Sequence, residues 1–253
     1  MAGVEQEARF RTLPLMAAQL PLALRLPAAA RFDNFVAGPN AETVAAVRQL
    51  ATEAHPAVLY LSGAAGSGKT HLLQAACRHA VAGGEAAVYL PLAEWVELDL
   101  GVLEGLEHYA LLALDDLDAI TGRREWEEAL FHLFNRVREA GGRWLSAAHA
   151  APEQLGVCLA DLRSRLGWGG VYALQPVDDA ARMQILRLRA HERGLELPED
   201  TAQFLLRRCP RDLPALMALL ERLDAAALSA QRRLTVPFVR EVLGSEYPQF
   251  RIN

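Results

Sequence analysis

Lysine is almost missing from this chain. Of its 26 Lys and Arg residues only Lys69 is a lysine; the other permanent side-chain cations are arginines. Arg does not replace Lys where a compact ammonium must enter a narrow site, so this one position needs a reason. Cysteine is scarce as well. Cys77, Cys158 and Cys209 lie far apart, form no metal-ligand spacing and leave an odd thiol. That pattern points to a reduced, cytoplasmic protein and away from a disulfide-stapled one. No apolar run reaches the ~18 uncharged residues that a membrane helix needs, and Pro14, Pro21 and Arg25 interrupt the apolar stretch Leu13–Leu26. The N-terminus carries Glu5 and Glu7 and no apolar run, which excludes a secretory signal. A net charge of −5 argues against a protein whose main work is gripping nucleic-acid phosphates.

What is present supports a full globular core: 52% of the 253 residues are hydrophobic. Residues 1–27 read as a tail broken by Pro14, Pro21 and Pro27. From residue 28 to 176, short apolar runs alternate with helical patterns. The runs are Ala57–Ser62, Ala86–Leu90, Ala110–Leu114, Arg143–Ala148 and Val171–Leu174. They do not alternate polar with apolar, as expected for parallel strands buried on both faces. Among the helical patterns, Arg124–Ala140 places Trp126, Leu130, Leu133, Phe134 and Val137 on one stripe, and Gly141 stops it. From residue 177 to 253 the strands cease. Patterns at Asp178–Arg193, Pro198–Arg208, Arg211–Ala230 and Thr235–Leu243 predict a small all-helical second domain, with Pro198, Pro214 and Pro237 in first turns. The fold class is therefore α/β, a five-stranded parallel sheet with a helical domain behind it.

Residues 63–70 read Gly-Ala-Ala-Gly-Ser-Gly-Lys-Thr and match G-x-x-x-x-G-K-[ST] at every fixed position, between a predicted strand and a predicted helix, His71–Val81. Gly63, Gly66 and Gly68 let the backbone fold into a nest of N–H donors around phosphate oxygens. The helix N-terminus adds partial positive charge. Lys69 reaches the outer phosphates, Thr70 holds Mg²⁺, and Ser67 and His71 complete the candidate nucleotide-binding set. The run Leu111–Leu114 ends in Asp115 and Asp116. Asp115 is placed to hold the Mg²⁺ water shell, and Asp116 to orient or deprotonate an attacking water. His149 ends the fourth strand, where ligands of open α/β sheets bind; a γ-phosphate contact and a plain loop histidine are both open there. Arg163 and Arg165 precede Leu-Gly-Trp168-Gly-Gly. An arginine projecting from a module can stabilise charge on a neighbour's phosphoryl group; taken alone, pairing with a surface acid is the simpler reading.

In this order, the strand, the P-loop, the Asp-Asp strand, the polar strand end, the Arg-Ser-Arg-Leu-Gly-Trp-Gly segment and the helical lid resemble AAA+ proteins. Phe32-Asp-Asn-Phe-Val36 resembles the adenine-side segment of bacterial replication initiators of the DnaA type, and the arginine segment resembles their box VII. The resemblance spans about residues 19–243. The expectation is closest to a regulatory branch that inactivates the initiator: about ten residues follow Leu243, too few for the initiators' helix-turn-helix domain. Gln19-Leu20-Pro21-Leu22-Ala23-Leu24 resembles the extended peptide by which proteins dock on the sliding clamp of DNA polymerase.

The resemblance implies roles. Phe32, Asp33 and Val36 lie near adenine, and Arg211 is the lid's sensor arginine on the chain's own nucleotide. Arg165 is a finger acting in trans on initiator-bound ATP. His149 stands where the family's first sensor is usually Asp, and Asp116 where motor members carry Glu, so self-hydrolysis is doubtful. The cofactors implied are ADP or ATP with Mg²⁺. The partners implied are a DnaA-type initiator and the clamp, with DNA touched only indirectly, no membrane, and a homo-oligomer left open. Two other readings compete: an ATP-driven loader or remodelling motor on DNA, and a nucleotide-gated adaptor without a catalytic arginine.

Overall fold

The computed structural model describes residues 30–53, 57–209 and 212–244. Helix α1 (Ala41–Leu50) leads into β1 (Val58–Ser62), α2 (Lys69–Ala82), β2 (Ala87–Pro91), α3 (Leu92–Trp95), β3 (Leu111–Asp115), α4 (Arg124–Glu139), β4 (Arg143–Ala148), α5 (Ala160–Leu166) and β5 (Gly170–Ala173). Four helices follow: α6 (Asp179–Glu192), α7 (Glu199–Arg208), α8 (Leu213–Ala230) and α9 (Val236–Leu243). The predicted elements begin and end within two residues of these.

All strand pairs are parallel, in the order β2-β3-β4-β1-β5. Successive side chains of a strand point to opposite faces. Leu112 and Leu114 accordingly join one apolar cluster with Trp144, Leu130, Leu133 and Phe134, against α4. Leu111 and Ala113 join another with Leu145, Leu72, Leu73 and Cys77, against α2. Both faces being covered explains the unbroken apolar runs of β3 and β4, every residue of which is buried. Each such large side chain contributes roughly 1.5–3 kcal/mol on burial. β5 departs from the expectation of burial on both faces. It lies at the sheet edge, with Gly170, Val171 and Ala173 exposed and only Tyr172 half-buried.

The helices after β5 hold their own apolar cluster, built on Leu186, Leu205, Leu216, Leu220, Leu223 and Phe238. Three of the four starts carry a side-chain cap. Asp178, Asp212 and Thr235 accept the N–H groups of Ala181, Ala215 and Phe238. Pro214 and Pro237 sit in first turns as predicted, while Pro198 is itself the residue before α7, where its missing N–H is equally harmless.

Candidate functional site

Because the sheet is parallel, the carboxyl ends of β1, β3 and β4 share one edge. Beyond β1 the chain runs through residues 63–68 into α2. Gly66 (φ +73°) and Gly68 (φ +99°) take left-handed conformations that side chains disfavour. Their neighbours leave no room either: a Cβ on Gly68 would stand 2.6 Å from the Phe35 ring, and one on Gly66 2.4 Å from Pro214 Cδ. Phe35 and the first turn of α8 therefore pack directly on the loop. Lys69 Nζ donates to the carbonyls of Gly63 (2.6 Å) and Ala64 (3.0 Å). Partial burial lowers its proton affinity, and Asp115 and Asp116 oppose that shift.

A cleft of about 500 Å³ lies over this loop, lined by Gly66, Gly68, Lys69, Thr70, His71, Gln74 and Asp116 and by Leu213, Pro214 and Met217 of the lid. Asp115 is fully buried. It accepts the Tyr89 hydroxyl at 2.9 Å and the Asp116 N–H at 3.0 Å. Burial, then the Asp115 charge and that hydrogen bond, push the Tyr89 phenol far above its ordinary range, so it stays a donor. Asp116 holds φ 54°, a left-handed conformation unusual for a non-glycine and typical of functional strain. Burial raises its carboxyl, the Asp115 charge adds to this, Lys69 opposes it, and Glu94 adds again.

This edge fits a nucleotide polyphosphate with Mg²⁺. The Ser67 hydroxyl is buried with no hydrogen-bond partner among the described residues. The glycine cradle, the α2 N-terminus and Lys69 supply the donors phosphate needs. The described residues contain no group of three His, Cys, Asp or Glu able to hold a metal alone. A divalent ion would thus rest on Thr70, Asp115, water and phosphate oxygens, as Mg²⁺ prefers.

His71 lines the cleft and also ties it to the lid. Its Nε2 lies 2.8 Å from the Arg31 carbonyl and its Nδ1 2.8 Å from the Arg189 guanidinium of α6. A guanidinium only donates, so Nδ1 accepts and Nε2–H donates, which is the neutral ring. Burial lowers the His71 pKa in keeping with this; the Arg31 carbonyl opposes and the Arg189 charge adds. Arg189 pairs with Glu192 at 2.7 Å, and Asn34 donates to the same carboxylate.

The other expected residues are placed as follows. His149 lies just past β4 with an exposed side chain, paired through Nδ1 to Asp118 in the 3-10 turn Leu117–Ile120 that follows Asp116. Its N–H donates to the same carboxylate. It does not line the cleft. Phe32 and Asp33 line a separate hollow of about 280 Å³ with Arg31, Arg48, Arg78 and His79. Phe32 meets the His79 ring edge-on at 5.6 Å, and Asp33 pairs with Arg48 at 3.3 Å. Val36 is half-buried and lines neither. Arg211, Gln19, Leu20, Leu22 and Leu24 lie outside the described residues. Arg165, on α5, does not line the cleft of its own chain; its guanidinium sits 4.5 Å from the Trp168 ring centroid.

Sequence reasoning missed Phe35, Gln74, Tyr89 and Met217. Phe35 stood inside the segment already singled out; the others carry no local signal. It also missed Glu127 of α4, 1% exposed. Its carboxylate accepts the N–H groups of Gly122 (2.9 Å), Cys158 (3.1 Å) and Leu159 (2.7 Å), joining the loop after the acid pair to the loop before α5.

A parallel sheet in this order, with a P-loop after β1, an acid pair after β3 and a helical lid, defines an AAA+ nucleotide-binding protein. The family model described as the bacterial DnaA ATPase domain matches residues 26–95 and 102–173, and the one described as Hda, lid domain, matches residues 179–243. The chain belongs to the bacterial DnaA ATPase-domain family, within AAA+ proteins of replication initiation, and carries a lid of the Hda type. Among solved structures it resembles domain III of the Thermotoga maritima replication initiation protein DnaA, at 23% identity and TM-score 0.75, over 87% of this chain and 98% of that one. AMPPCP-bound DnaA from Aquifex aeolicus matches at 23% identity and TM-score 0.62, over 88% and 75%. The Thermotoga maritima RuvB Holliday junction branch migration motor matches at 17% and 0.59, over 81% and 69%. At these identities the likeness is one of fold. No helix among the described residues is long and apolar enough to cross a membrane.

Proposed function

We propose that this chain is a nucleotide-binding negative regulator of chromosomal replication initiation. It binds ADP or ATP with Mg²⁺ at its P-loop, and ADP is the form that makes it competent. It docks on the DNA-loaded sliding clamp through residues 19–24 and touches DNA only through the clamp. From there it presents Arg165 to ATP held by a DnaA-type initiator, the partner, in the cytoplasm. The tail is residues 1–27, the core 28–176 and the lid 177–253. Arg211 of the lid reads the chain's own nucleotide, and His149 stands at the first-sensor position.

The observation that carries this reading is the placement of Arg165. It lies outside its own cleft, half-buried beside an exposed indole, with no ion pair among the described residues. An arginine supplied in trans can raise phosphoryl-transfer rates by ~10³–10⁵. By resemblance, Asp116 stands where motor members carry Glu, and His149 where the first sensor is usually Asp. The chain is thus an activator of its partner's hydrolysis more than an ATPase itself.

The test loads purified initiator with labelled ATP, adds DNA-loaded clamp, and follows conversion to ADP with the intact chain, with Arg165→Ala, and with neither. Acceleration by the intact chain alone supports the trans finger. Equal conversion in all three reactions removes it.

A further inference from the structure

Arg165 does not stand alone beside Trp168. Arg138, near the C-terminus of α4, lies closer to the same ring: its guanidinium carbon is 3.9 Å from the centroid, against 4.5 Å for Arg165. The indole is 52% exposed, yet firmly seated. It stacks on the fully buried Phe134 of α4, with ring centroids 6.4 Å apart and planes 26° from parallel. The next residue, Gly169, runs so close to β1 that a Cβ there would overlap the Val58 carbonyl. The backbone beside Trp168 is therefore held close against β1.

This face differs from the rest of the described residues in one respect: Trp168 is the only ring there that two guanidinium groups share. Arg31, Arg48, Arg123, Arg189, Arg193 and Arg232 each pair with a carboxylate. Arg138 and Arg165 form no ion pair among the described residues; what their guanidinium groups share is one aromatic ring. An indole face attracts a guanidinium, but it does not neutralise it. Two guanidinium carbons at 3.9 and 4.5 Å from one centroid stand within about 8 Å of each other and repel, and neither fork-shaped guanidinium makes a hydrogen bond to another of the described residues. An anion with several oxygens would relieve the repulsion and satisfy both forks.

We propose that Arg138 is a second anion-contacting arginine, held with Arg165 on the Trp168 indole, and that the two together engage the polyphosphate of a nucleoside triphosphate bound to a second protein molecule. Trp168 is a positioning residue in this arrangement. The inference rests on the trans role of Arg165 and extends it to a paired site.

The test follows single-turnover conversion of initiator-bound labelled ATP over a range of concentrations of this chain, with clamp and DNA present. Maximal rate and half-saturation are then separate readouts. Arg138→Ala is expected to lower the maximal rate about tenfold while melting temperature and the chain's own nucleotide affinity stay unchanged. Arg138→Lys recovers part of the loss, keeping the charge without the flat fork. Trp168→Ala behaves like Arg138→Ala, and Trp168→Phe, which keeps an aromatic face, stays within about twofold of the intact chain. If Arg165→Ala abolishes stimulation while Arg138→Ala keeps the full maximal rate, the second arginine is overturned and the finger survives. A change in half-saturation alone also overturns it, because Arg138 then serves docking. If Arg165→Ala itself keeps the full rate, both readings fall.

Discussion

The P-loop edge and the Trp168 face both gather positive charge, and they treat it in opposite ways. At the edge, Lys69 is partly buried, bonded to two carbonyls and faced by Asp115 and Asp116. At the face, Arg138 and Arg165 lie against an exposed ring with no carboxylate partner among the described residues. The first arrangement is enclosed and compensated, suited to a ligand that this chain holds for itself. The second is open and uncompensated, suited to charge that arrives on another molecule. A chain with a single lysine uses it where a compact ammonium fits among backbone carbonyls, and uses arginine where a flat group can stack.

Breaking the link between the two regions should have the largest effect. Glu127→Ala removes a buried carboxylate that accepts three N–H groups, from Gly122, Cys158 and Leu159. We expect a loss of about 3 kcal/mol in unfolding free energy, with faster hydrogen exchange at residues 157–166. A loss under about 0.5 kcal/mol would show that the carboxylate does not hold α5.

Lys69→Ala should separate the regions cleanly. Affinity for Mg-ADP and Mg-ATP falls about 100-fold by calorimetry, while the Trp168 surroundings, followed by fluorescence with the other three tryptophans changed to phenylalanine, stay as they were. An unchanged nucleotide affinity would remove the P-loop reading.

Gly66→Ala probes the contact between loop and lid. The added methyl meets Pro214 and the left-handed backbone is strained, so about 1–2 kcal/mol of stability is lost. Pro214→Ala in the same chain returns the steric part; strictly additive effects would show that α8 does not rest on the loop.

The smallest effect concerns acid. Burial pushes the Glu192 carboxyl up, but hydrogen bonds from Asn34 and Arg189 and the charges of Arg189 and Arg31 outweigh it and hold it below its ordinary 4.5. A depressed carboxylate adds stability above its unfolded pKa and loses it as pH falls through the folded value. Lid-to-core contact should weaken below about pH 4.5, and Glu192→Gln should flatten that slope. Identical acid melting curves for the two proteins would discount the cluster.

Much of the edge was legible in the sequence because its demands are local. A P-loop needs glycines, a lysine and a hydroxyl at fixed spacing, and Asp115 follows an apolar run that can only be a buried strand. What stayed hidden depends on contacts across the chain. Tyr89 and Asp115 meet because β2 and β3 are neighbours, paired Tyr89↔Ala113 and Pro91↔Asp115. Arg138 and Trp168 are thirty residues apart in sequence, and nothing near Arg138 tells it from any other arginine late in a helix. The exposure of β5 was hidden for the same reason: Val-Tyr-Ala reads like a buried strand, and only the strand order puts it at the edge. Phe32 and Asp33, which the resemblance puts near adenine, line the hollow beside His79, a neighbourhood that no local pattern announces.

The strand order also sets a length. β1 and β3 are not neighbours; β4 lies between them. With strands ~4.8 Å apart, the P-loop strand and the acid strand stand about 10 Å from each other. Val58 and Leu112 are both in register with Trp144, which is buried and serves as a common zero mark for the two. The sheet is thus a fixed gauge between the phosphate cradle and the Asp115–Asp116 pair, ruled in backbone hydrogen bonds. Changes in the surrounding loops can alter what is measured against it, but they cannot stretch it.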